Sequence, residues 1–528
     1  MAHKVENVVI VGGGTSGWMA AAAFAKFHPD KKVTLIESPV IPTIGVGEST
    51  VGGFREWLQA LDIDERDFMR KTDASFKLSI EFTDFYEKNS GSFHYPFGQP
   101  CTDGTVYGVN DWHIKKYYNP ETSAEDYVES YYPGMQLVKH NRYTLNQDGK
   151  LNPYSYYNDP AYHFDAVKFA NWLREDYCLP KGTNLIRATV VEVTTGDIGV
   201  ESLLLDSGDL ITADLYIDCT GFKSLLLGDA LQEPFESFEH IIPNNRAWVA
   251  QIPFTDKEKE LKLSIQCYAL KNGWTFTTPL WSRIGFGYIY SDKFTTPEDA
   301  LQEFKDWLNS DKLTVHNPNR VTEDIKFRDI QMKCGIYKRT WVKNVVAIGM
   351  SAGFLEPLES NALYTVHEFL EKLTRSLQRP KVTQWDRDTY NFATRSIFTN
   401  FAEFVAMHYS LSIRDDSEYW RYWTEKSFSP ESGELTPTLS VGFTDLMHRK
   451  MFSNQHDPKL GIHAIATGMD YLLINEKLIS YVKKESGVDL KEQWEQTVPF
   501  RTQLKKQWET AALNSPTLFE YLSKEIFN

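Results

Sequence analysis

The stretch Val8-Val9-Ile10-Val11-Gly12-Gly13-Gly14-Thr15-Ser16-Gly17-Trp18, followed by an alanine-rich run to Phe27, decides the fold of this 528-residue chain. Four apolar residues bounded by glycine read as a buried strand, and Ala20 to Ala23 read as part of a closely packed helix. Between them Gly12, Gly14 and Gly17 fit G-x-G-x-x-G. The first glycine permits a tight turn, the second lets backbone approach a pyrophosphate, and the third lets helix and strand pack closely. Thr15 and Ser16 then open the helix whose N-terminus faces the phosphates. The next apolar run, Lys32-Val33-Thr34-Leu35-Ile36, ends on Glu37, twenty residues after Gly17, where an acid takes ribose hydroxyls. The pattern predicts an ADP-binding βαβ unit held by Gly12, Gly14, Thr15, Ser16, Gly17 and Glu37.

Bulk properties narrow the remaining classes. The length implies two or three structural units. A formal net charge of −15 argues against nucleic acid, whose phosphates need a basic face. No run of about 18 apolar residues occurs, so no membrane span is expected. The start, Met1-Ala2-His3-Lys4-Val5-Glu6, leaves no room for a signal peptide before the first strand, which suggests a cytoplasmic protein. Five scattered cysteines without C-x-x-C spacing read as reduced thiols, with no metal site among them. The chain holds 14 Trp, 27 Tyr and 32 Phe, enough for a large core with a handful left to line a pocket for a flat aromatic molecule.

Further along, Gly45-Val46-Gly47-Glu48-Ser49-Thr50 reads as a loop that caps a helix beginning near Val51. Ala74 to Phe82 alternates apolar and polar residues, which predicts one strand with a wet face shared by Ser75, Lys77, Ser79 and Glu81. Residues 90–159 are rich in Tyr, Pro, Gly and Asn and predict long loops with short helices, where Phe93, His94, Tyr95, Phe97, Trp112 and His113 are candidates for a pocket wall. A helix is expected over His163 to Tyr177, and strands over 188–194 and 200–205. Asp214 to Phe222 reads as a buried strand ending in an Asp-x-x-Gly turn. Alternation between 235 and 295 predicts an antiparallel sheet with a substrate-facing layer. Another buried strand, Asn344 to Gly353, runs into Phe354-Leu355-Glu356-Pro357-Leu358-Glu359-Ser360-Asn361-Ala362-Leu363, and helices dominate thereafter.

These motifs, in this order, resemble the flavin-dependent halogenases of the tryptophan-halogenase type. The resemblance rests on the glycine turn, Gly45 to Thr50, Phe76-Lys77, Asp218 to Phe222, Pro357-Leu358-Glu359-Ser360, and Asn400-Phe401-Ala402-Glu403-Phe404 with His408-Tyr409. It implies a mixed α/β fold. A Rossmann-like FAD-binding domain would be built from 1–90, 160–235 and 325–375. Substrate-side loops and an antiparallel sheet would come from 91–159 and 236–324, and a helical C-terminal region from 376–528. It adds Gly47, Glu48, Ser49, Gly349 and Leu358 to the cofactor site. It also implies a division of labour: FADH2, O2 and a halide ion yield hypohalous acid, which passes down an internal tunnel to a lysine beside an electron-rich ring. Lys77 matches that lysine, and Glu359 matches the carboxylate paired with it. An amine or ammonium can bind the oxidant, while a carboxylate stabilises the cationic ring and takes its proton.

The resemblance places the halide against backbone N–H groups after the glutamate, here Ser360, Asn361 and Ala362. Family members usually carry Ser-Thr-Gly there, so Asn361 and Ala362 depart from the pattern and leave bromide or iodide open as the preferred ion. The usual Trp-x-Trp-x-Ile-Pro signature corresponds to Trp274-Thr275-Phe276-Thr277-Thr278-Pro279, with one Trp kept. Trp274 and Phe276 join Phe93 and His94 as candidate substrate contacts. No second G-x-G-x-x-G follows, so electrons are expected from a separate flavin reductase, and assembly into an oligomer stays open. The expected activity is halogenation of a free indole or phenol. A flavin-dependent hydroxylase and a non-halogenating flavin-binding protein are the alternatives.

Overall fold

A computed structural model describes residues 4–41, 48–310, 325–426, 461–471 and 474–528. The Gly45-Val46-Gly47 part of the loop motif, with the proposed cofactor contact Gly47, lies outside the described residues. The opening strand–turn–helix forms as its sequence predicts. Strand β1 (Asn7–Val11) runs into helix α1 (Thr15–Phe27) and then β2 (Lys32–Glu37). Alanine has the highest helix propensity and the smallest side chain, so Ala20, Ala21 and Ala22 let α1 lie flush on the sheet, fully buried. Gly12 sits at φ +113°, and a Cβ there would meet the Cys219 carbonyl oxygen at 2.3 Å. At Gly17 a Cβ would come within 1.9 Å of the Gly12 carbonyl oxygen, which is the close helix–strand contact the third glycine permits.

Across the nucleotide sheet the order is Trp341–Val342, Val345–Ala347, Leu215–Asp218, β1, β2 and Asn184–Arg187. The four central and right-hand neighbours pair in parallel, and only the 341–347 hairpin is antiparallel. The expected strand over 188–194 is displaced. Asn184–Arg187 joins this sheet, while Val190–Gly196 leaves it to pair with Gly199–Leu205. The run at 184 is too short to show periodicity by itself.

The second layer is a seven-stranded sheet, ordered Arg328–Gln331, Arg246–Ile252, Ile284–Tyr290, Gly273–Pro279, Ser264–Ala269, Ser79–Thr83 and Ser92–Pro96. Its core is the antiparallel set expected from 235 to 295, but its last two strands come from the N-terminal quarter, and Ser79–Thr83 joins in parallel. This corrects the reading of Ala74 to Phe82. Two strands, Ser75–Lys77 and Ser79–Thr83, break at Leu78 and enter different sheets. Ser75, Lys77 and Ser79 are buried, so the polar face is an interior one. An alternating pattern records which face is polar; it cannot say whether that face meets water or a site.

Two smaller readings also change. Glu48–Ser49 pairs with His163 and Phe164 as a strand, and the helix after it begins at Phe54 behind Gly53. The helix expected from His163 starts at Ala166, because Ala161–Phe164 is a strand and the Asp165 carboxylate caps the turn by accepting from the Lys168 N–H. Among the described residues beyond 360 the chain is mainly helical, with Ala362–Ser376 packed against α1 and the long Gln384–Ser410 helix beside it. Thr383 and Asp386 form a reciprocal capping box at the start of the latter. The five cysteines are buried and free, and among the described residues no helix is long and apolar enough to cross a membrane.

Candidate active site

A cavity of about 550 Å³ opens at the C-terminal edge of the parallel sheet, above the turn between β1 and α1. Gly12, Gly14, Thr15 and Ser16 line one end with Glu37, Thr220 and Gly349. Its other end is apolar, walled by Ala247, Val249, Phe276, Ile289 and Met332. Gly14 caps α1 without a side-chain bond, so the first N–H groups of the helix are left for another acceptor. Asp218 closes the adjoining turn by accepting from the N–H groups of Thr220, Leu226 and Leu227.

Pro357, Asn361 and Ala362 line this cavity from the far side, in the turn that leads into Ala362–Ser376. Ser360, in the same turn, has left-handed backbone at φ 54° and points the other way. Its hydroxyl accepts from Lys77 Nζ at 2.9 Å and donates to the Ser49 hydroxyl at 3.1 Å. The turn is thus a partition with the large cavity on one side and Lys77 on the other.

Lys77 is fully buried. Its second hydrogen bond goes to the Thr50 carbonyl at 2.9 Å, and its nitrogen lies 5.0 Å from the Phe97 ring centre. Burial pushes its pKa down to about 7, and only the nearby Glu359 carboxylate and Cys267 thiol oppose that shift. An amine that is half deprotonated near neutral pH can act as a nucleophile or a hydrogen-bond donor.

Glu359 is 1% exposed. His408 Nε2 approaches its Oε1 to 2.7 Å, yet neither carboxylate oxygen has an aligned hydrogen bond to the protein. The other ring nitrogen, His408 Nδ1, lies 2.9 Å from the Phe404 carbonyl oxygen. Tyr95 lies close enough to feel this carboxylate, its hydroxyl held well above the usual range by burial and then by Glu359. Three residues before Glu359, the buried Glu356 accepts from Asn244 at 2.5 Å and from the Tyr409 hydroxyl. Burial raises Glu356 to about 7, against those two bonds.

The candidates from sequence fall into groups. Gly12, Gly14, Thr15, Ser16, Glu37, Gly349, Asn361 and Ala362 line the large cavity, and Phe276 lines it too. Gly17 and Leu358 stand behind its wall, one in the helix–strand contact and the other fully buried. Glu37 also meets Arg174 at 3.3 Å. Lys77, Ser360 and Ser49 form one hydrogen-bonded group, next to the strand Glu48–Ser49. Trp274 is fully buried beside Phe276, Phe93 stacks on Phe82 at 5.2 Å, and His94 Nδ1 sits 3.2 Å from the Ser79 hydroxyl. Sequence reasoning assigned no role to Thr50, Glu356 or His408. The His408-Tyr409 pair was visible as a motif, but nothing in its spacing ties it to Glu359.

The tryptophan halogenase family model matches residues 7–454. Among curated proteins, the 7-chloro-L-tryptophan 6-halogenase KtzR of Kutzneria sp. is 31% identical over 443 residues, covering 78% of this chain and 81% of its own. The tryptophan 7-halogenase RebH of Lentzea aerocolonigenes is 30% identical over 437 residues, covering 80% and 79%. Among solved structures, VirX1 superposes with a TM-score of 0.90 at 35% identity over 99% of this chain and 100% of its own. The tryptophan 6-halogenase SttH of Streptomyces toxytricini gives 0.82 at 26% identity over 98% and 99%. With a cavity above the glycine turn on one side of the partition, a buried lysine and carboxylate on the other, and relatives matched over most of their length, the chain belongs to the tryptophan halogenase family of flavin-dependent enzymes.

Proposed function

We propose that this enzyme uses FADH2, O2 and a halide to halogenate a free, electron-rich aromatic such as an indole or phenol, with Lys77 receiving the hypohalous acid and Glu359 acting on the ring. The observation that carries this reading is the fully buried Lys77, hydrogen-bonded to the turn that separates it from the large cavity. Burying an ammonium is costly, and a buried, charge-perturbed lysine beside a cavity is a candidate for chemistry.

The large cavity fits a dinucleotide. A Cβ at Gly12 would clash with backbone, the uncapped N-terminus of α1 suits a pyrophosphate, Glu37 is at hand for a ribose, and the apolar end suits a flat ring. When bound, reduced FAD supplies with O2 and halide the oxidising power that becomes hypohalous acid. Asn361 and Ala362 present N–H groups at the start of a 15-residue helix, where a halide is favoured. The departures at these two positions support bromide or iodide over chloride. Lys77 polarises the oxidant, and Glu359 stabilises the cationic ring and removes its proton. The FAD-binding part is 1–90, 160–235 and 325–375, with 91–159 and 236–324 on the substrate side and 376–528 as the C-terminal region, helical over its described residues; the site is cytoplasmic and reductase-fed.

The test supplies an unrelated flavin reductase, NADH, FAD and air, with an indole or a phenol and bromide or iodide. A brominated product with its isotope doublet is the expected result. Oxygen insertion alone, which the incomplete Trp274-Thr275-Phe276 signature would favour, or H2O2 alone, overturns the reading.

A further inference from the structure

We propose that His408 is the second half of the base: it holds a proton jointly with Glu359, so the pair first gives a proton to the departing oxygen of the oxidant and then takes one from the ring. This rests on the halogenase reading above.

The geometry leaves little choice about where protons sit. A carbonyl oxygen cannot donate, so at 2.9 Å from the Phe404 carbonyl the His408 Nδ1 must carry a hydrogen. Its Nε2 therefore offers either a lone pair or a second N–H toward Glu359, 2.7 Å away. A lone pair facing a carboxylate at that distance repels; a proton on Nε2 turns the contact into an attractive charge pair. His408 is fully buried and Glu359 nearly so; they touch at 2.7 Å, and neither His408 Nε2 nor either Glu359 oxygen has an aligned hydrogen bond to any protein group. Phe82 and Phe404 hold the imidazole at ring-centre distances of 4.9 and 5.2 Å, which fixes its direction.

The step balances. The ring π electrons form the carbon–halogen bond as the O–X bond breaks, and the leaving hydroxide takes the proton held by the pair, giving water. The ring C–H bond then breaks, its electrons restore aromaticity, and its proton refills the pair. Hypohalous acid and arene become haloarene and water, with nothing left over. The titratable groups facing the pair are Lys77, Glu356, Tyr95 and Cys267; His163 faces Lys77 from behind.

The experiment is His408→Gln, which keeps a hydrogen-bonding group but cannot hold the proton. Flavin binding and hypohalous acid formation, followed with a soluble trap, should match wild type, while aryl halogenation falls roughly 10²-fold, the low end for loss of a general acid–base. Ring-deuterated substrate should show a primary isotope effect in the variant and little in wild type. Unchanged halogenation, or equal loss of trapped oxidant, overturns the proposal. Should the variant not hold flavin, wild type decides: an isotope effect that emerges as pH falls supports the shared proton, and one flat across pH overturns it. Absence of halogenation by wild type would instead sink the reading of the function.

Discussion

At the scale of single residues the site turns on Lys77, a cation placed where water cannot reach it. Lys77→Ala should abolish halogenation with flavin titration unchanged; product formation near the wild-type rate would refute its role. Glu359→Gln should slow halogenation strongly while trapped oxidant persists. Stability carries its own signature. With a folded pKa of about 7 against 10.5 for the free side chain, the unfolded chain binds more protons between those values, so this group's contribution to stability rises with pH across that window. In denaturant titrations the stability difference between wild type and Lys77→Met should therefore move toward wild type from pH 7 to 10. A difference constant in pH would mean that Lys77 stays charged in the fold.

Among elements, the β1–α1 turn is the most legible feature of the chain and the most exposed to substitution. Gly14→Val should prevent FAD binding, because its branched side chain occupies the pyrophosphate's approach; a stoichiometric yellow protein would refute this. At the other end, Thr383→Ala removes half of a capping box and should lower stability by about 1 kcal/mol without touching activity. The turn and both its strands were readable because their signals are local: an apolar run, three glycines and an acid at fixed spacing. Lys77 was readable as a residue but not as an environment. The alternation that predicts a polar face is the same whether that face meets solvent or, as here, Ser360 and Thr50. His408 lay beyond reach for a different reason, since it meets Glu359 only after the long Gln384–Ser410 helix folds back onto the 357–360 turn.

For the whole molecule, one buried arginine ties together regions distant in sequence. Arg414 donates to the carbonyls of Asp84, Ala269 and Leu270 and pairs with Asp416 at 2.9 Å, joining the chain after Gln384–Ser410 to the second sheet. Arg414→Ala leaves the buried Asp84 and Ala269 carbonyls without this donor, while Leu270 keeps the Trp420 indole N–H, and should destabilise the fold by about 3 kcal/mol, read as a lower denaturant midpoint. The other whole-molecule expectation concerns electrons. Among the described residues the glycine turn shapes one such cavity, which the proposed function gives to flavin, so NADH alone should support no turnover and any competent flavin reductase should restore it. Turnover with NADH alone would show a second nucleotide site.

Ser360 puts two demands on one position. A non-glycine residue at φ 54° carries backbone strain of about 1 kcal/mol, and glycine would relieve it. Glycine would also delete the hydroxyl that joins Lys77 to Ser49. Selection for a sturdier protein and selection for a faster catalyst would therefore pull this residue in opposite directions, and a library screened for heat resistance alone should enrich Gly at 360 among its inactive survivors.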